Sequence, residues 1–165
     1  MSDLRSAPVP ALRPDDHVRG DGPLVVFYGD FACPHCALAN ERLAREQVQR
    51  VFRHFAMKAR HPRALTLAHA AEAAAAQDAF WPFHDSLYAD QGRLDDPHLW
   101  ERAEQLGLDV ERFDADRRSE AIAARVQRDV REGLRAGIVQ TPTLVVDGVL
   151  HPGARIPTFG IIDRR

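Results

Sequence analysis

Sulfur is scarce in this chain: of 165 residues two are cysteine, and both lie in one four-residue stretch, Cys33 to Cys36. That excludes the disulfide framework that staples small secreted domains and leaves sulfur for chemistry or for metal. Long apolar runs are also missing, since nothing approaches the roughly 20 consecutive apolar residues that a spanning helix needs. Neither sign of charge dominates: 22 Lys+Arg face 24 Asp+Glu for a formal net charge of −2, so neither nucleic acid nor an anionic membrane is expected as partner. Lysine is reduced to Lys58, and alanine crowds positions 70 to 76; both read as compositional bias without function. The opening residues, Met1-Ser2-Asp3-Leu4-Arg5, lack the apolar core of a secretory signal. A cytoplasmic location is therefore expected, unless a leader has been trimmed away.

What remains is enough for one packed domain. A chain of this length with 45% hydrophobic residues can bury a single core and is short for two domains. Pro8, Pro10, Pro14, Gly20 and Gly22 mark residues 1–22 as an N-terminal tail and lead-in loop, with the domain occupying 23–165. Leu24 to Tyr28 is a continuous β-rich run that predicts a strand buried on both faces. A helical pattern follows, with Ala39, Leu43, Ala44 and Val48 at three-to-four spacing. Val51 to Met57 predicts a second strand, with Val51, Arg53, Phe55 and Met57 on one face. From His61 to Gly137 every segment has helical punctuation. Pro62 suits a first turn, and Asp95 or Asp96 caps a helix with Pro97 at its start. That helix carries Leu99, Ala103 and Leu106 on its stripe and stops at Gly107. Asp109 caps a short helix bearing Val110 and Phe113. Ile122, Val126, Val130 and Leu134 mark an amphipathic helix ended by Gly137. Pro142 to Val146 reads as a strand, Asp147-Gly148 as a two-residue turn, and Val149 to His151 as the return. The order is strand, helix, strand, helical block, strand, strand, an α/β class.

The chemistry is in the cysteine pair. Cysteine attacks as thiolate, and an ordinary thiol is mostly protonated at neutral pH. Cys33 falls at the start of a helix, where free backbone N–H groups and the macrodipole favour an anion. Pro34 stiffens the turn, and His35, if protonated, adds a positive neighbour. Cys36, one turn in, is expected to be less exposed. Cys33 then forms a mixed disulfide with substrate and Cys36 resolves it. Cys-x-x-Cys is also half of a zinc site, but no second pair of ligands stands at the customary spacing, and no metal or bound cofactor is expected.

The string Tyr28-Gly29-Asp30-Phe31-Ala32-Cys33-Pro34-His35-Cys36 resembles the active-site segment of bacterial DsbA-like thioredoxin-fold proteins. Asp16-His17, Phe80 to Asp85, Leu106 to Asp109 and Thr141-Pro142-Thr143 resemble further pieces of that family, so that the likeness covers roughly residues 16 to 153. It implies a thioredoxin fold with a helical subdomain inserted at about 61–118. It also implies a cis Pro142 beside Cys33, with Thr141 and Pro142 positioning an extended substrate. The implied activity is disulfide exchange with protein or low-molecular-weight thiols. Two departures stand out. Related enzymes often carry a buried carboxylate six residues before the first cysteine; Phe27 is there, and the nearer Asp30 is expected to be exposed. The usual final helix is replaced by Ile156 to Asp163, with proline and glycine inside it. That segment is expected to be extended or to leave a sheet face for a partner, which makes a homodimer an expectation.

Three rivals share parts of this pattern. A glutathione-dependent enzyme of the kappa type would generally use serine at the reactive position; a thiol peroxidase would take Cys33 to sulfenic acid; a redox sensor or docking module would show no turnover. His54, His61, His69, His84, His98 and His151 read as ordinary surface or boundary residues. Phe80, Trp81, Phe83 and Tyr88 read as packing anchors in preference to a peptide groove. The stretch Arg125 to Glu132 reads as a solvated helix face.

Overall fold

A computed structural model describes residues 7–159. Its described residues form five strands and six helices: β1 (His17–Arg19), β2 (Leu24–Gly29), α1 (Pro34–Leu43), β3 (Gln49–His54), α2 (Ala64–Ala75), α3 (Phe80–Ala89), α4 (Asp96–Gln105), α5 (Val110–Asp116), α6 (Glu120–Arg135), β4 (Thr143–Val146) and β5 (Val149–Pro152). The sheet order is β1-β3-β2-β4-β5. The central β2 runs parallel to β3 and antiparallel to β4, and each outer strand is antiparallel to its neighbour. A parallel β2-α1-β3 unit followed by an antiparallel β4-β5 hairpin is the thioredoxin arrangement. It delivers the N-terminus of α1 to the carboxyl end of β2, where ligands bind in open α/β sheets.

Strand alternation explains the two sides of the core. Val25 and Phe27 join one cluster with Phe52, Leu67, Phe83 and Leu144, whereas Val26 and Tyr28 join another with Val51, Phe55 and Ile138. β2 is therefore buried on both faces, as its unbroken apolar run requires. β3 ends at His54, earlier than its pattern suggests, although the Phe55 N–H still reaches Gly29 O at 2.9 Å. Its expected face is kept: Val51 and Phe55 pack together with Met57 beside them, and Arg53 is fully buried.

Arg53 shows why part of the N-terminal stretch is ordered. Its guanidinium donates to both oxygens of Asp16 at 2.7 and 3.0 Å and to the carbonyls of Pro10 and Ala11. A buried guanidinium needs those acceptors. Within the stretch read from sequence as tail and lead-in loop, His17–Arg19 forms β1 along β3.

The helical region differs from the sequence pattern in three places. α1 stops at Leu43, so Val48 is buried from the loop and not from the helix. α2 begins at Ala64, two residues past Pro62. On α6 the expected stripe ends wrongly, because Leu134 is 56% exposed while Val126, Asp129 and Gly133 are buried. Residues four apart advance about 40° each on a 3.6-residue helix, so Leu134 has rotated about 120° from Ile122. Gly133 takes its place against the sheet, where a Cβ would meet Phe55 at 3.0 Å and Tyr28 at 3.1 Å. Nor is Arg125 to Glu132 a solvated face throughout. Asp129 is fully buried, accepting from the His54 N–H at 3.1 Å, Arg13 at 2.9 Å and Arg125 at 2.7 Å.

Of the remaining punctuation, Asp95 stands at the N-cap of α4 with Pro97 in its first turn, but its side chain makes no cap hydrogen bond. Asp109 accepts the Arg112 N–H at 3.0 Å at the start of α5. Asp147 and Gly148, both at positive φ, make the tight turn between β4 and β5. The segment read as an unusual C-terminus lies partly outside the described residues. Its described part contains no helix, and Ile156 and Phe159 pack on the first core cluster.

Candidate active site

β2 ends at Gly29, and the chain turns through Asp30, Phe31 and Ala32 before α1 begins at Pro34. Cys33 is the N-cap of α1, with extended φ and ψ of −87° and 119°. Its carbonyl accepts from Cys36 N at 3.1 Å and Ala37 N at 3.3 Å, which sets the first turn. Pro34 in the first turn removes a donor that would have had no helical acceptor. The two sulfurs come out unlike. Cys33 is 6% exposed and borders a cavity of about 380 Å³, whereas Cys36 is fully buried. Both thiols are free.

Cys33 faces the loop before β4. Its Sγ lies 3.7 Å from the Thr141 carbonyl oxygen, and the Thr141–Pro142 peptide is cis. Pro34, His35 and Thr141 line the cavity with Cys33, while Pro142 is buried behind Thr141 and accepts from Gly153 N at 2.8 Å. All six residues singled out in the sequence therefore sit at one place. Arg60 and His61 line the same cavity. They come from the turn after β3, and His61 offered no sequence signal that set it apart from the other histidines.

The electrostatics separate the pair further. A hydrogen bond from the Cys36 side chain favours the Cys33 thiolate most, and the backbone N–H groups of Cys36 and His35 and the Thr141 side chain add to it. Against the opposing effect of burial, they lower the Cys33 pKa to about 5. Cys36 moves the other way: burial pushes its thiol well above the ordinary range, and the neighbouring Cys33 charge pushes it further.

Asp30, expected to be exposed, is 2% exposed. Its carboxylate turns back to accept the Ala32 N–H at 2.9 Å and the Met57 N–H at 3.4 Å, which replaces the water it has lost. Burial raises its pKa, and the charge on Cys33 adds to that. Gln91 was not foreseen either. From just beyond α3 its Nε2 donates to Phe31 O at 2.8 Å and Cys33 O at 3.1 Å, bracing the turn that carries Cys33. The aromatics of α3 are core: Phe80, Phe83 and Tyr88 are each at most 8% exposed, and the half-buried Trp81 donates its indole N–H to Val18 O.

Two histidines also depart from the surface role expected of them, because His54 and His84 are each 1% exposed. His54 and His17 both reach Glu72, with Nε2 of each 2.7 Å from Oε1. β1, β3 and α2 bring these three together from positions far apart in the chain, so no local motif announces them.

The sheet order, the cysteine-bearing helix start and the facing cis-proline loop define a thioredoxin-fold protein. The thioredoxin family model matches residues 14–157, and the chain belongs to that family. A thioredoxin-like oxidoreductase from Silicibacter pomeroyi superposes with a TM-score of 0.75 at 26% identity, covering 86% of this chain and 85% of that one. BdbD from Bacillus subtilis superposes at 0.76 with 20% identity over 89% of each chain. Among curated proteins, the Na(+)/H(+) antiporter NhaA 1 of Salinispora arenicola is 42% identical across 88% of this chain, which amounts to 24% of that protein. The corresponding antiporter of Mycolicibacterium vanbaalenii is 39% identical across 86% of this chain and 25% of its own length. The chain thus spans about a quarter of the length of the curated relatives it matches.

Proposed function

We propose that the protein is a thiol-disulfide oxidoreductase that exchanges disulfides with protein or low-molecular-weight thiols, with Cys33 as nucleophile and Cys36 as resolving thiol. The observation that carries this reading is the asymmetry of the pair: one sulfur at a cavity with its pKa lowered to about 5, the other fully buried with its thiol pushed upward.

In the reducing direction the Cys33 thiolate attacks a substrate disulfide, forming a mixed disulfide and expelling one substrate thiolate. Cys36 then gives up its proton and attacks Cys33 Sγ. The Cys33–Cys36 bond forms, the second substrate thiolate leaves, and two electrons have passed from protein to substrate. Run backwards, a substrate dithiol displaces Cys36, then closes its own disulfide by expelling Cys33 as thiolate. A low Cys33 pKa makes it the better leaving group and stabilises the dithiol form, so the reading favours oxidation of substrates.

Asp30 is the group we assign to the Cys36 proton, since it is a buried carboxylate of raised pKa whose backbone contacts that thiol. It takes the place of the carboxylate missing at Phe27. Pro34 and His35 shape the mouth, and Thr141 and Pro142 position an extended substrate. The antiport named for the curated relatives is not proposed for this chain, which matches only about a quarter of their length.

The test is to trap the intermediate. Cys36→Ser with a model disulfide should accumulate one mixed disulfide at Cys33, located by mass spectrometry, and Cys33→Ser should show no exchange. Full turnover by both variants would refute the mechanism.

A further inference from the structure

We propose that His17, His54 and Glu72 form a binding site for one divalent transition-metal cation of the zinc type, held between β1, β3 and α2. No local motif points to metal here, because the three residues stand far apart in the chain.

The three ligand atoms lie within 4.8 Å of one another. Two of the spacings are 2.7 Å, from each Nε2 to Glu72 Oε1. Burial is deep, with Glu72 7% and His54 1% exposed. The charge around Glu72 needs a cation. Among the described residues neither arginine nor lysine pairs with it, and its salt-bridge partners are the two imidazoles, which are neutral unless protonated. A buried carboxylate without a matching positive charge is costly. Either a proton shared with a histidine or a metal ion supplies that charge.

Imidazole nitrogen and carboxylate oxygen are ligands zinc takes at about 2.0–2.2 Å. A tetrahedron of that size sets ligand atoms about 3.3 Å apart, so each 2.7 Å contact must open by about 0.6 Å. Side-chain rotation can provide that. Ligation through Nε2 moves the ring proton to Nδ1, and the buried His54 Nδ1 makes no hydrogen bond among the described residues, so nothing is broken by the move. Both rings are held in place: His17 stacks on Phe80 at 3.5 Å and 5°, and His54 meets Phe52 edge-on at 5.3 Å. The His17 side chain is 14% exposed, which leaves a side from which a cation and a completing water can enter. His69 stands one turn before Glu72 on α2, half-buried, and is close enough for the charge of His54 to bear on it.

The experiment uses the full chain with Cys33→Ser and Cys36→Ser, which removes the only thiols. Its outcome is therefore independent of the disulfide-exchange reading. Equilibrium dialysis against zinc, and titration with cobalt followed by visible absorption, should show one equivalent bound, with the d–d bands of a four-coordinate site and no thiolate charge-transfer band. Glu72→Gln, which keeps the shape and removes the charge, should weaken binding by more than the roughly 10- to 100-fold lost when a residue that merely orients a ligand is removed. Circular dichroism confirms that the variant folds. If it does not, His17→Gln at the partly exposed edge of the site decides by the same criterion. No stoichiometric binding by the thiol-free protein, or equal binding by the folded ligand variants, would overturn the proposal.

Discussion

The Cys33 thiolate can be tested through the pH dependence of its alkylation. With a pKa of about 5 against an ordinary 9.0, Cys33 should be about half thiolate at pH 5, where an ordinary thiol is about 0.01% thiolate. The ratio of reactive species is about 5,000. Nucleophilicity falls with basicity along a slope of about 0.4–0.5, which over four units removes a factor of about 40–100. Iodoacetamide should therefore modify Cys33 about 50- to 125-fold faster than glutathione at pH 5. At pH 7 the two effects nearly cancel and the rates come within a few fold. The profile must be measured across the whole range in Cys36→Ala as well as in the native pair, because the Cys36 side chain is the largest favourable influence. Its removal should move the midpoint upward. A native midpoint above pH 8 would refute the reasoning. The same shift acts on stability. A folded pKa below the unfolded one gives a contribution that is complete above about pH 9 and disappears as pH falls through about 5. At pH 7 it is worth about 3 kcal/mol. The dithiol form should therefore gain stability relative to Cys33→Ser as pH rises from 5 to 9, as read by urea unfolding.

Asp30→Asn should slow the resolving step by at least about 100-fold, the low end of what a positioned base contributes, while the first attack by Cys33 changes little; stopped-flow traces with a chromogenic disulfide separate the two phases. Asp129→Ala should destabilise the protein by about 3–5 kcal/mol, because the His54 N–H and two guanidiniums lose a buried acceptor; a chemical denaturation midpoint close to the native value would contradict this. Gln91→Ala should cost about 1 kcal/mol in the same assay and leave the alkylation midpoint of Cys33 in place, since the amide supports carbonyls and does not touch sulfur.

Local pattern was sufficient wherever a residue's neighbours in sequence are also its neighbours in space. The Asp109 cap, the Asp147-Gly148 turn, the strand before the cysteines and the helix after them follow from spacing and backbone preference. So does the choice of Cys33 as the proposed nucleophile, since a cysteine at a helix start needs only its own turn to become acidic. Resemblance supplied the cis peptide at Pro142, which spacing alone would have left trans.

Other features required the chain to be folded back on itself. Asp30 was misread as exposed because the amide that shelters it, Met57 N–H, arrives from beyond β3. Asp129 was misread as solvated because a charged helix stretch gives no sign that Arg13, 116 residues away, will fold across it. Arg60 and His61 entered the cavity, and His17 and His54 converged on Glu72, by sheet register and by the placing of turns and helices. Sequence by itself marked most of the elements and singled out the cysteine pair, because helix starts, strand alternation and turns are short-range matters of backbone geometry. Only tertiary structure decided which charges are buried and what faces them, because desolvation and pairing depend on atoms that the chain brings from far away.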